Sequence, residues 1–237
     1  LLIAIGAVMI FPFLNVLARS FSSEYGIISG NVTIFPIEFN LDSYRFILQD
    51  WSLWRSMLVT IYLATFGTLC AMVVTMLMAY PLSKKRVRAR RGILLGVIFI
   101  MIFGLPIIPF FLVVRGTGLL DNIHSLIIPS IVNPFNLLVL KTFLENVPNE
   151  MEESAKMDGA NDLQVLVKIF IPLSLPAIAA LSLFYAVEKW NSYAQALMFI
   201  NDRTWWPLQI KARMMFTVEE QGGYLEGFGY LNREGIK

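Results

Sequence analysis

Five stretches of the chain run for about 18 residues or more without a charged side chain, and this pattern restricts the possible folds more than any other feature. A bilayer core about 30 Å thick is crossed by roughly 20 apolar helical residues. Leu1–Ala18 ends at Arg19, and Ser56–Ser83 holds 28 uncharged residues. Gly92–Val114 is the third run. Asn122–Leu140, the fourth, is interrupted by Pro129, Asn133, Pro134 and Asn136. Ile169–Val187, the fifth, continues past Glu188 and Lys189 to Ile200. A chain in lipid must satisfy its own backbone hydrogen bonds, so each run is expected to be a helix. The expected fold is all-α: a polytopic membrane helix bundle with five visible spans, forming a single transmembrane domain over 1–237.

Composition removes the alternatives. Hydrophobic residues make up 57% and charged residues 15% of the chain, against about 25% charged in ordinary soluble domains. Disorder is excluded by 18 Phe, 5 Trp and 8 Tyr with a net charge of only +2. A nucleic-acid partner is not expected, because six of the 19 Lys and Arg crowd into residues 84–91 instead of spreading over a solvated face. The single cysteine, Cys70, permits neither a disulfide framework nor a cysteine metal site. The first run has no basic leader or small-residue cleavage site, so it reads as a membrane helix and not as a signal peptide. The chain opens inside an apolar run without an initiator Met, and both ends are expected to be incomplete.

Lys and Arg accumulate in cytoplasmic loops. Threading the spans alternately places 84–91 and 141–168 on one side, where basic residues are more than twice as dense as in 19–56, 115–123 and 201–237. The first side is assigned to the cytoplasm. The Lys84–Arg91 cluster reads as a topology anchor, with membrane lipid head groups as its other partner. The external 19–56 segment, with Gly26, Gly30 and Pro36, is expected to be a short irregular or β-like cap.

Residues 141–168 are too long for a simple turn. Asn149 is expected to cap a short helix with Glu152 at its third position, and Glu150, Glu152 and Glu153 suit the positive end of the helix dipole. Gly159 ends that helix as a left-handed residue, and Asn161 or Asp162 starts another that runs to Pro172.

This segment carries a resemblance. Glu153-Ser154-Ala155, three residues, Gly159, nine residues and Ile169-Phe170-Ile171-Pro172 resemble the EAA loop of ABC importer permeases, with Ser154 in place of Ala and Ile171 in place of Leu. Over about 43–208 the chain is similar to the MalG-like branch, which imports carbohydrates. Trp190-Asn191-Ser192-Tyr193 and Trp206-Pro207-Leu208-Gln209 match its pattern, closest to the subgroup of LplC-like permeases and the second permease subunit of an alginate importer. The resemblance implies six spans, so a sixth is expected beyond Lys237.

It also implies a coupling helix that docks on an ATPase subunit, with Glu152, Glu153, Ser154, Ala155, Met157, Asp158, Gly159 and Ala160 as its ATPase-coupling residues. The carboxylates equally fit helix capping and a solvated face. Implied partners are a second permease subunit, two copies of an ABC ATPase subunit, an extracytoplasmic solute-binding protein and a carbohydrate substrate. This chain has no Walker motif, so no cofactor is expected in it; ATP and Mg belong to the partner subunits, and no metal site is expected.

Polar residues inside spans tend to face cavities or neighbouring helices. Asn133 and Asn136, with Glu188, Trp190, Asn191 and Tyr193, therefore form a candidate substrate pathway, since sugars need hydrogen-bonding groups beside an aromatic platform. Interhelical hydrogen bonds and interfacial anchoring of Trp190 and Tyr193 are the alternatives. Gly222, Gly223 and Tyr224 in the 201–237 loop are assigned, by resemblance, to contact with the solute-binding protein. An ion-coupled secondary transporter is the competing function, but it leaves the EAA-like loop without a task. An intramembrane enzyme is disfavoured because no metal cluster or activated Ser pair is visible.

Overall fold

The computed structural model describes residues 2–220, and every regular element among them is helical. The chain divides into two compact units at Arg55/Ser56.

In the first unit, α1 (Leu2–Ser20) is followed by two short helices, α2 (Glu24–Ile28) and α3 (Asp42–Gln49). The expected irregular or β-like cap is thus partly helical. Side chains fix the helix ends and turns: Ser23 Oγ accepts from the Gly26 amide at 3.2 Å, and Ser22 Oγ accepts from the Ile37 amide at 3.0 Å. Asn15 Nδ2 donates to the carbonyls of Val32 and Thr33. The Phe21 ring stacks on both Phe39 and Tyr44.

Helix α4 (Trp51–Ser83) is the one described helix long and apolar enough to cross a membrane by itself. It begins five residues earlier than the uncharged run, because the Asp50 carboxylate accepts from the Ser52 amide at 2.8 Å and starts the helix there. Arg55 ended the apolar run but does not end the helix. A π-helical turn, Leu63–Gly67, interrupts its hydrogen-bond ladder.

The third run is not one helix. It splits into α5 (Arg90–Phe103) and α6 (Ile107–Gly116), because Gly104 adopts φ +60° and Pro106 has no amide to continue the ladder. The fourth run forms a 3₁₀ turn, Ile123–Leu126, and then an irregular stretch; helix α7 (Pro134–Glu145) starts only where Asn133 caps it. After α8 (Asn149–Met157), helix α9 (Asp162–Leu173) meets α10 (Leu175–Trp190) at 85°. The fifth run therefore bends at Ser174 between Pro172 and Pro176, and stops again at Asn191 before α11 (Tyr193–Phe199). The 201–237 segment, expected as a projecting loop, contains α12 (Leu208–Glu220).

Two apolar clusters organise the second unit. One joins α4, α7, α9 and α10 through Ala71, Ala79, Leu137, Leu140, Phe170 and Leu181, with Tyr80 edge-on to Phe170. The other joins Val59 and Leu63 of α4 to Leu126, Phe199, Trp206 and Ile210.

Candidate functional site

Two groups of residues stand out, one in the α8–α9 hairpin and one on α10.

Pro148, not Asn149, occupies the capping position of α8, so Asn149 is the first helical residue and Glu152 sits one place later than expected. The reciprocal capping box appears instead at the next helix. There Asn161 Oδ1 accepts from the Gln164 amide at 2.8 Å, and Gln164 Oε1 accepts from the Asn161 amide at 2.9 Å. Between the helices Gly159 takes φ +84°. Its amide donates to the Lys156 carbonyl at 3.0 Å, and the Ala160 amide donates to the Ala155 carbonyl at 2.9 Å. This pair of bonds is the Schellman stop, with glycine at the left-handed position. Open space surrounds Gly159, so its requirement is conformational and not steric.

The hairpin has two faces. Ala155 and Ala160 pack against the larger apolar cluster, and Glu152 is buried at 7% exposure. Glu150, Glu153, Ser154 and Asp158 are exposed, and Met157 is 88% exposed among them. A depression beside this face is lined by Glu150, Met151, Ser154, Ala155, Asp158 and Ile169.

Glu152 was expected among the carboxylates available to a partner, but it is engaged within the chain. It pairs with Lys84 and with Lys156 Nζ, the latter at 2.6 Å, while Arg86 Nη2 lies 3.5 Å away. Asp162 joins the group through Arg86 at 2.9 Å and Lys156 at 3.0 Å. Burial pushes the Glu152 carboxyl up, but hydrogen bonds from Lys156 and Lys84 outweigh it and hold the group below the ordinary carboxylate value. Asp162 is held low by its hydrogen bonds to Lys156 and then Arg86. Burial pulls Lys156 down, and the two carboxylates overcome this and raise it.

A depressed carboxylate stabilises the folded form above its ordinary pKa and loses that contribution as pH falls through the lowered value. A raised lysine contributes below its ordinary pKa and loses its contribution as pH rises through the raised one. The cluster is therefore expected to hold unchanged across neutral pH, loosening only below about pH 4 and above about pH 10.5. Spin labels at the exposed positions 88 and 153 would read this as a separation that grows only at those extremes.

On α10, Tyr185 is fully buried and its hydroxyl lies 2.8 Å from Thr75 Oγ1, while accepting from the Asn133 amide at 3.0 Å. Asn133 Oδ1 caps α7, and its Nδ2 donates to Glu188 Oε2 at 3.3 Å. The structure thus brings Asn133 and Glu188 together. Asn136, on the first turn of α7, is buried. Asn191 Oδ1 accepts from Gln209 Nε2 of α12 at 3.1 Å. Trp190 and Tyr193 are half-buried, and the Arg213 guanidinium lies 5.4 Å from the Tyr193 ring centre. Gly222, Gly223 and Tyr224 lie outside the described residues.

Lys189 points elsewhere. It is 1% exposed and donates to the carbonyls of Leu126 and Ser130 at 3.0 and 3.2 Å and to Ser130 Oγ at 2.7 Å. Sequence reasoning missed Tyr185, Thr75, Ser130 and the ion-pair partners Lys84, Arg86, Lys156 and Asp162, whose roles depend on contacts between distant parts of the chain. Tyr185→Phe is expected to lower thermal stability of the purified protein in detergent by about 1–3 kcal/mol, because the Asn133 amide and Thr75 lose a buried partner. Thr75→Val should have the smaller effect, since the Tyr185 hydroxyl still accepts from Asn133.

Residues 71–225 match the family described as binding-protein-dependent transport system inner membrane component. The chain belongs to this family. The permease is 42% identical over 217 residues to the polygalacturonan/rhamnogalacturonan transport system permease protein YtcP of Bacillus subtilis, covering 92% of this chain and 76% of that one. It is 44% identical over 211 residues to protein LplC of the same organism, covering 89% and 72%. A solved chain from a bacterial ABC transporter involved in import of the acidic polysaccharide alginate superposes with a TM-score of 0.88 at 33% identity. That match covers 98% of this chain and 82% of the other. The permease is thus a multi-pass inner-membrane component of a binding-protein-dependent ABC transporter complex, and its role is transport. Among the described residues no group of three or more His, Cys, Asp or Glu is placed to hold a metal.

Proposed function

We propose that the permease imports an acidic oligosaccharide handed over by an extracytoplasmic solute-binding protein. The pore forms with a second permease subunit, and two ATPase subunits bind ATP and Mg and drive it. The observation that carries this reading is the outward face of α8: Met157 protrudes among Glu150, Glu153, Ser154 and Asp158, on a short helix held by the rigid Gly159 corner. An apolar knob ringed by carboxylates suits a cleft with an apolar floor and basic rim, as an ATPase subunit in contact with α8 would present. The substrate class is supported by the polysaccharides for which the similar transport proteins are named.

In this arrangement five spans cross the membrane, with 19–56 and 201–237 outside and 141–168 inside. The substrate passes the polar side of α10, where Asn133, Asn136, Glu188 and Asn191 offer hydrogen bonds close to Trp190 and Tyr193. Gly222, Gly223 and Tyr224 meet the binding protein.

The test is uptake in cells expressing the complete transporter. Oligogalacturonate entry should stop when the ATPase subunit is inactivated and should persist when ion gradients are collapsed with ATP maintained. Uptake that survives ATPase inactivation and follows an ion gradient would establish the secondary-transport alternative instead.

A further inference from the structure

The basic cluster 84–91 marks an orientation in the sequence, but in the folded chain half of it is tied to other helices. Arg90 pairs with Glu145 and donates to the Leu82 carbonyl, and Arg86 reaches Glu152 and Asp162. Lys84 is the most enclosed. It follows directly on the last residue of α4, is 9% exposed, and its ammonium lies 3.9 Å from the Phe170 ring centre and 5.1 Å from that of Tyr80 while pairing with Glu152.

Glu152 and Lys84 therefore join α8 to the end of α4, and the two routes leading away from α8 differ in stiffness. Along the chain, α8 leads into α9, which contains a π-helical turn at Leu166–Phe170 and then bends by 85° at Ser174. A push along that path can be absorbed by rotation at the bend. Across the ion pair, α8 meets α4, whose last 16 residues, Thr68–Ser83, stay α-helical, with Pro81 removing one amide from the ladder but no bend like that at Ser174. That rod carries Thr75, the partner of Tyr185, which in turn holds the Asn133 amide; Asn133 then reaches Glu188. A displacement of α8 thus has a continuous route from the hairpin to the polar side of α10.

We infer that Lys84 and Glu152 are positioning residues that form the mechanical joint through which movement of α8 shifts α4, making α4 the transmitting helix in place of α9. This rests on the permease reading given above. Glu152→Gln leaves the Lys84 ammonium buried without its carboxylate, and Lys84→Met leaves Glu152 held only by Lys156 of its own helix and by Arg86, so the tie from α8 to the end of α4 is lost in either single variant.

The experiment uses the complete transporter reconstituted in vesicles with its binding protein, and measures assembly, basal ATP hydrolysis, hydrolysis stimulated by loaded binding protein, and uptake. Lys84→Met, which keeps an unbranched side chain beside Phe170 and Tyr80 without the ammonium, and Glu152→Gln, which keeps shape, are each expected to assemble and keep basal hydrolysis. Stimulation and uptake per ATP should fall about tenfold in each. The double variant should be no worse than either single one, and the charge-exchanged pair Lys84→Glu with Glu152→Lys should regain part of the coupling.

Normal stimulation in both single variants, or losses that multiply in the double variant, would overturn the joint while leaving the permease reading intact. Failure of both single variants to assemble would also overturn it, by assigning the pair to folding alone. Absence of stimulated hydrolysis in the unaltered assembly would remove the permease reading and the joint with it.

Discussion

Gly159→Pro is expected to reduce substrate-stimulated ATP hydrolysis of the assembled transporter to its basal rate, with the subunits still co-purifying. Proline fixes φ near −65°, whereas Gly159 stands at +84°. The substitution also removes the amide that donates to the Lys156 carbonyl, so the penalty at the corner is about 3 kcal/mol or more. The damage is confined to the hairpin because open space surrounds the residue. For the same reason Gly159→Ala is a graded control: its methyl meets nothing, and the expected loss is the roughly 1–2 kcal/mol of a left-handed alanine. Stimulation should be reduced by Ala and lost with Pro. Equal, unimpaired stimulation in both would mean that the angle between α8 and α9 is irrelevant to coupling.

The second large effect is expected at Lys189. Its stem packs near Gly67, where an added Cβ would lie 3.5 Å from Lys189 Cγ, and its ammonium satisfies two carbonyls and the Ser130 hydroxyl. Lys189→Ala empties the space filled by the stem and strands those acceptors, an expected loss of roughly 3–5 kcal/mol. Lys189→Met restores the stem but not the donors and should recover part of that loss. Thermal unfolding of the detergent-solubilised protein, ranking unaltered, Met and Ala in descending midpoint, is the check. A midpoint unchanged in the alanine variant would show that the 126–130 segment does not need the ammonium.

The features legible in the sequence were the local ones. The Gly159 corner and the Asn161 restart are written in neighbouring residues, and uncharged runs of suitable length marked the all-helical, membrane-embedded class. Helix boundaries were less legible. Absence of charge marks apolar stretches, not hydrogen-bond continuity: the uncharged run begins at Ser56 although Asp50 starts α4 earlier, and the third run passes through Gly104-Leu105-Pro106, where the helix breaks. The candidate pathway was visible only as polar residues on an apolar background. That Glu188 turns to Asn133 while its neighbour Lys189 turns to Ser130 depends on residues more than 50 positions away. The resemblance marks Glu152 as a partner-facing carboxylate, but its partner Lys84 is distant in sequence, and only the folded chain brings the two together.

The π-helical turn at Leu63–Gly67 also limits how this protein can vary in length. It inserts a phase shift between the half of α4 that buries Val59 and Leu63 and the half that buries Ala71, Thr75 and Ala79. A deletion within regular α-helix rotates the residues beyond it by about 100°, but a deletion within this turn returns the ladder to the α-helical repeat and leaves Thr75 facing Tyr185. Single-residue deletions should therefore be better tolerated within this turn than between Thr68 and Ala71 just beyond it.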